Sequence, residues 1–166
     1  MSIPQKIRAS VAVAQSQQFA GSVPVKRLSR LVEALADDAG DLAVQLAATK
    51  VAGHAALTGQ IEGTVHMHCV RCDQVYDVAL NLPVNLRLVA SEVEEKQLLQ
   101  DCEPYVVHED QLQLHELIED EALLGLPMLP RCDSCENSVR NAPAQPTPNP
   151  QGERENPFAA LKKLKF

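Results

Sequence analysis

From Leu42 to Leu88 apolar and polar residues alternate almost without a break. Leu42, Val44, Leu46 and Ala48 take every second position and predict a strand. Leu57, Gly59, Ile61, Gly63, Val65, Met67 and Cys69 form one face of the next strand, with Thr58, Gln60, Glu62, Thr64, His66 and His68 on the other. This is the pattern of a half-buried antiparallel strand, with glycines where it bends or bulges. Tyr76, Val78, Leu80, Leu82, Val84, Leu86 and Leu88 then make a second long apolar series. Pro83 lies on the opposite face and, lacking a ladder donor, marks an edge, a bulge or a break. CVRCDQ joins the two runs, so the pattern predicts a long hairpin with a cysteine pair at its tip.

Two segments carry a helical period instead. In SVPVKRLSRLVEALADDAGD, Ser22 reads as a cap, Pro24 as a first-turn residue and Gly40 as a stop. Leu28, Leu31, Val32 and Leu35 share one face, and Lys26, Arg27 and Arg30 decorate the other. In LQLHELIEDEALLGLP, Leu114, Leu117, Ile118 and Leu124 fall near one face, and Gly125 and Pro127 end the helix. The acidic segment between hairpin and second helix reads as a loop returning as a short strand at Tyr105–Val107. The expected fold is α+β: an antiparallel sheet, open or closing like a barrel, with a long hairpin and two helices packed on it.

Composition changes after residue 138. Residues 139–155 are rich in Pro, Asn, Gln and Ala, which predicts an extended, disordered linker. Residues 156–166, NPFAALKKLKF, predict a short amphipathic helix capped by Asn156, with Pro157 in its first turn. Phe158, Leu161 and Leu164 form its apolar stripe, and Lys162, Lys163 and Lys165 sit where a helix C-terminus favours cations. Such a short helix orders only against a surface. We expect it to dock on a partner through Asn156, Pro157, Phe158, Leu161 and Leu164, the alternative being its own domain. The organisation is thus one domain over 1–138, a linker, and a docking helix.

The net charge of −7 is unevenly spread. Up to Val32 there are five basic residues and no acid, whereas Glu92–Glu121 holds eleven acids against Lys96, a balance of −10. The chain is not basic throughout, as a conventional nucleic-acid-binding domain would be. Lys26, Arg27, Arg30, Lys162 and Lys163 are the candidate RNA contacts. Glu119, Asp120 and Glu121 are a candidate acidic interaction face. Consecutive helical positions point about 100° apart, so these three cannot converge on one ion as nuclease carboxylates unaided. No phosphate-cradling glycine loop, nucleophile elbow or H-E-x-x-H occurs, so no catalytic residues are assigned. No signal-peptide run and no membrane-length apolar stretch appears, which predicts a cytoplasmic protein.

The strongest chemical signal is Cys69-x-x-Cys72 with Cys132-x-x-Cys135, separated by 59 residues. Two chelating pairs complete a tetrahedral zinc site if the fold brings hairpin tip and post-helix loop together. The competing reading is two pairs of reduced thiols in turns. A structural disulfide suits a cytosolic chain poorly. Cys102 is left as a small packed residue, and His66 and His68, on the strand face opposite Cys69, as surface residues.

Cys69-x-Arg71-Cys72, then the ELIEDEALLGLP helix, a further cysteine pair and a terminal NPFAALKKLK together resemble the YceD family, the large ribosomal RNA subunit accumulation proteins. The resemblance runs from about Gly63 to the end. It implies a bacterial protein of ribosome biogenesis that promotes synthesis, maturation or accumulation of 23S ribosomal RNA without being an enzyme. It also implies a partner among ribosome-assembly or rRNA-maturation proteins, or a pre-50S particle. The alternatives are an rRNA-processing nuclease built on the acidic cluster and an RNA-binding regulator of neighbouring genes.

Overall fold

The computed structural model describes residues 3–100 and 102–135. Its element order is β1 (Lys6–Arg8), α1 (Ala9–Ala14), β2 (Gln18–Pro24), α2 (Ser29–Glu33), β3 (Asp41–Val51), β4 (His54–His68), β5 (Val75–Val89), α3 (Glu92–Leu98), β6 (Glu103–Val106), β7 (Gln111–Gln113) and α4 (Leu114–Gly125), with a 3-10 turn at Val25–Arg27. The five-stranded sheet runs β2-β3-β4-β5-β6, and β1 pairs with β7 in a small separate ribbon. All pairings are antiparallel except β5 with β6. Since β2 and β6 end the order, the sheet is open rather than a barrel.

The period-two runs became the three central strands. β4 and β5 pair from Ala56 opposite Arg87 to His68 opposite Val75, forming the long hairpin. Pro83 does not break β5. On its second side β5 pairs only over Leu86–Val89, so Pro83 lies where no further strand is paired in the described structure. The β3–β4 turn has Ala52 at φ 52° and Gly53 at φ 86°, the two left-handed positions of a tight turn matching the twist of its strands. At Gly59 the backbones crowd so closely that an added Cβ would lie 1.9 Å from the Gln45 carbonyl oxygen.

One face of the sheet is the core. Leu42, Val44, Leu46, Leu57, Ile61, Val65, Leu80, Val84 and Leu86 are buried there. They meet Ala12 and Val13 of α1, Leu31 of α2, and Leu114, Leu117, Ile118 and Ala122 of α4. Each such aliphatic side chain contributes about 1.5–3 kcal/mol by leaving water. Leu124 departs from expectation: it is 76 % exposed, and Ala122 takes the buried position instead.

The first predicted helix starts later than expected and is shorter: residues 22–24 are strand, Val25–Arg27 is a 3-10 turn and α2 covers Ser29–Glu33. Ser22 and Pro24 belong to β2, which pairs with β3 from Gln18 opposite Ala47 to Pro24 opposite Asp41. Phe19 and Val23 point inward, and seven ladder positions outweigh the local helical signal, so helix starts only at Ser29. The acidic segment, expected as a loop, contains α3. Ser91 caps it by accepting the Glu94 N–H at 3.3 Å, while the Glu94 carboxylate accepts the Ala90 N–H at 3.2 Å. This S-x-x-E exchange is a capping-box variant, shifted by one residue.

Candidate metal centre

The hairpin tip is a tight turn. The Cys69 N–H donates to the Gln74 carbonyl and the Asp73 N–H returns to the Cys69 carbonyl, both at 2.9 Å, with Asp73 left-handed at φ 59°. After α4 the chain doubles back on this tip: the Val70 N–H donates to the Pro130 carbonyl at 2.9 Å, and the Cys132 N–H points at Cys69 Sγ at 3.4 Å. These contacts unite the two cysteine pairs. Cys69 Sγ lies 3.5 Å from Cys135 Sγ, Cys72 Sγ lies 3.6 Å from Cys132 Sγ, and all four sulfurs lie within 4.8 Å of one another. With Zn–S bonds of about 2.3 Å, the edge of a regular tetrahedron is about 3.8 Å. The set therefore has the size and the soft donor chemistry of a four-thiolate zinc site.

The electrostatics favour thiolate at half of the set. Cys69 is lowered to about 6, chiefly by the Cys132 N–H, with the Arg71 and Cys72 amides adding to it. Cys132 is lowered by the Ser134 hydroxyl, 3.2 Å away, and by the Cys135 amide. Cys72 receives the Gln74 amide, which lowers it, but burial and the neighbouring Cys132 and Cys69 sulfurs outweigh that and leave it raised. Cys135 is pushed up to about 12 by burial and then by the other three sulfurs. Four sulfurs this close cannot all carry charge without a cation among them, the logic by which a thiolate site calls for a metal.

His66 and His68 stay outside the cysteine cluster, as expected from their strand face. His66 Nδ1 is 2.9 Å from both carboxylate oxygens of Asp37, and His68 Nδ1 is 3.6 Å from Asp73 Oδ1. Cys102 is half-buried, and its thiol donates to the Leu98 carbonyl at 3.5 Å.

The candidate acidic face is corrected by the structure. Glu119 is buried, 7 % exposed, and its Oε1 accepts the backbone N–H groups of Arg30 at 2.6 Å and Leu31 at 3.1 Å. These are free amides of the first turn of α2, so Glu119 supplies from another helix the cap that Ser22 does not provide. Arg30 returns to α4, with Nη2 3.0 Å from Glu119 Oε2 and Nη1 2.8 Å from Asp120 Oδ1. Arg30 therefore ties α2 to α4 through an ion pair, with its side chain 48 % exposed. Glu121 faces elsewhere: burial raises its carboxyl, and Glu103 of β6 and Asp120 raise it further. Lys26 and Arg27 remain exposed.

Residues 57–165 match the family described as "Large ribosomal RNA subunit accumulation protein YceD". The chain belongs to this family. A relative of that same description from Haemophilus influenzae is 27 % identical over 151 residues, covering 89 % of this chain and 87 % of the relative. No solved structure matches the chain. The YceD match takes in all four cysteines, α4 and the terminal segment. The linker 139–155 and the site residues Asn156, Pro157, Phe158, Leu161, Lys162, Lys163 and Leu164 lie outside the described residues, as does the 138/139 boundary. Among the described residues no helix is long and apolar enough to cross a membrane.

Two features escaped the sequence reading. The tertiary cap by Glu119 joins residues 88 and 89 positions apart and has no local signal. Ser134, which assists Cys132, was legible as the hydroxyl between the second pair of cysteines, a position from which it reaches a thiolate.

Proposed function

We propose that this chain is a non-enzymatic cytoplasmic factor that promotes the accumulation of large-subunit (23S) ribosomal RNA, by binding a rRNA-maturation protein or a pre-50S particle. The observation that carries this reading is the YceD family match from residue 57 to 165, which includes the terminal basic-apolar segment. The nuclease alternative needs open carboxylates, yet Glu119 is committed to α2 and Asp120 to Arg30. In this reading Cys69, Cys72, Cys132 and Cys135 hold a structural zinc ion, which would supply the charge that lets the four thiolates coexist. The chain's own part is to present them, through the hairpin turn on one side and the loop after α4 on the other. The tail is the hook: Phe158, Leu161 and Leu164 insert into a partner groove, and the lysines complement its rim.

The test is affinity capture from cells with the full chain and with a chain ending at Glu155, each with and without ribonuclease. We expect a large-subunit factor or particle that is lost on truncation and survives ribonuclease. Identical capture by both chains would overturn the tail's role. Normal levels and processing of 23S rRNA in a strain lacking the gene would overturn the function itself.

A further inference from the structure

Two basic residues of the N-terminal region, Arg27 and Arg30, line one polar cleft. A depression of about 550 Å³ is lined by Ile3, Pro4, Gln5, Arg27 and His115. A second of about 230 Å³ adjoins it and shares Gln5, Arg27 and His115. The chain builds this place from distant segments. His115 Nε2 lies 3.1 Å from the Ile3 carbonyl oxygen. A carbonyl only accepts, so this nitrogen carries the proton and pins the N-terminal segment to α4. β1 pairs with β7, setting Lys6 opposite Gln113, itself a lining residue. The 3-10 turn supplies Lys26 and Arg27.

The charges here are unequally neutralised. Arg30 is consumed by Glu119 and Asp120, and Arg8 by Asp110. Among the described residues Lys6, Lys26 and Arg27 form no ion pair, and all three are exposed. Glu116 lines the smaller depression and is the acid left facing it besides the committed Glu119. The result is a cleft lined by Arg27 and by two carboxamides, Gln5 and Gln113, with Lys26 next to Arg27 in the 3-10 turn and Lys6 opposite Gln113. Cations spread along a shallow open cleft, rather than enclosed in a pocket, fit a run of phosphates. The carboxamides can both donate to and accept from base edges and 2′-hydroxyls. We infer that this cleft receives the sugar–phosphate backbone of single-stranded RNA, with Lys26 and Arg27 as its phosphate contacts and Lys6 opposite its Gln113. The inference rests on the rRNA reading above and gives it a direct RNA contact that does not depend on the tail.

The test is fluorescence anisotropy of a labelled mixed-sequence RNA oligonucleotide against the full chain across a salt series. The variants are Lys26→Ala/Arg27→Ala and, as a control of equal charge change, Lys50→Ala/Lys96→Ala. For single strands each phosphate contact contributes a salt slope of about 0.7, worth about fivefold in affinity at 0.1 M salt. Loss of two contacts should therefore weaken binding about 25-fold and lower the slope by about 1.4. The control pair should stay within about twofold, and Tm should match the unaltered chain in both. Equal weakening by both pairs would reduce the effect to net charge and overturn the cleft. So would tighter binding of polyglutamate than of RNA, which would assign the cleft to an acidic protein. Absence of RNA binding by the unaltered chain, in a protein whose gene deletion still lowers 23S rRNA, would overturn the cleft and leave the rRNA reading standing.

Discussion

Replacing Glu119 by alanine should be the most damaging polar substitution in α4, and the structure says by how much. Its Oε1 accepts two amides of α2, from Arg30 at 2.6 Å and Leu31 at 3.1 Å. A hydrogen bond to a charged acceptor contributes about 1.5–3 kcal/mol. Leu31 is fully buried, so water cannot readily replace the lost acceptor at its amide. The Arg30 guanidinium adds little, because its side chain is 48 % exposed and solvent screens the pair. The two amides thus set a loss of about 3–6 kcal/mol. In a domain of this size that corresponds to a fall in Tm of about 10–20 °C. Thermal and urea denaturation followed by circular dichroism measure it. Glu119→Gln keeps an oxygen for the amides and should fall between alanine and the native residue. Asp120→Ala breaks only a surface contact and should leave Tm within about 2 °C. Arg30→Ala leaves both amide bonds intact and should cost clearly less than Glu119→Ala. If Arg30→Ala costs as much, the side-chain pair and not the amide cap holds α2, and the reasoning fails.

Two further outcomes follow from the cysteine site and from the His66 pair. The purified chain should carry about one zinc per molecule. Cys69→Ser or Cys132→Ser should release it, lower Tm and speed hydrogen exchange at the Val70 amide while the β3–β5 core stays protected; a metal-free chain with unchanged stability in both variants would refute the zinc clip. Asp37 raises the His66 pKa, and hydrogen bonds from His66 and then Ala39 lower that of Asp37. The raised histidine stabilises below its unfolded value near 6.5 and loses that effect as pH rises through its folded value. The lowered aspartate stabilises above its unfolded value near 3.8 and loses that effect as pH falls. The stability gap between the native chain and Asp37→Asn should therefore peak at about pH 5 and shrink toward pH 8; a gap independent of pH would refute the pairing.

The sheet was legible where side chains alternate and one face is buried, because a period of two survives any tertiary context that leaves a solvent side. β3, β4 and β5 met that condition, and so did the helical period of α4. The N-terminal helix was placed too early because two signals overlapped in one stretch: Phe19 and Val23 belong to a strand period, and Leu28 and Leu31 to a helical one. Sequence spacing from Leu28 onward could not reveal that Ser22 was already hydrogen-bonded into a ladder. The parallel return of β6 was hidden for a related reason, since a short strand carries too few residues to state its direction. At the candidate metal centre the ligand identities were visible in the C-x-x-C spacing. Their convergence depended on the return of the chain after α4, where the Pro130 carbonyl accepts the Val70 N–H, and only the tertiary path provides that. The acidic cluster misled because burial of Glu119 is decided by a helix elsewhere in the chain.

The position of the four cysteines explains why a metal would be needed there at all. Toward its tip the hairpin runs out of core: Tyr76 and Val78 are only half-buried, and Val70 and Val75 are more than half exposed. The segment after α4 is no better anchored, with Met128 97 % and Leu129 65 % exposed. Apolar burial therefore cannot fasten these two pieces to each other, and the hydrogen bond from Val70 to Pro130 is too weak alone to hold a strand end against solvent. A metal held by the four thiolates would supply what the core does not. Cys135 precedes NPFAALKKLKF by twenty residues in the sequence. If that segment is the hook proposed above, a metal at this site would steady the chain upstream of it, so metal loss should impair partner capture while the rest of the sheet remains folded.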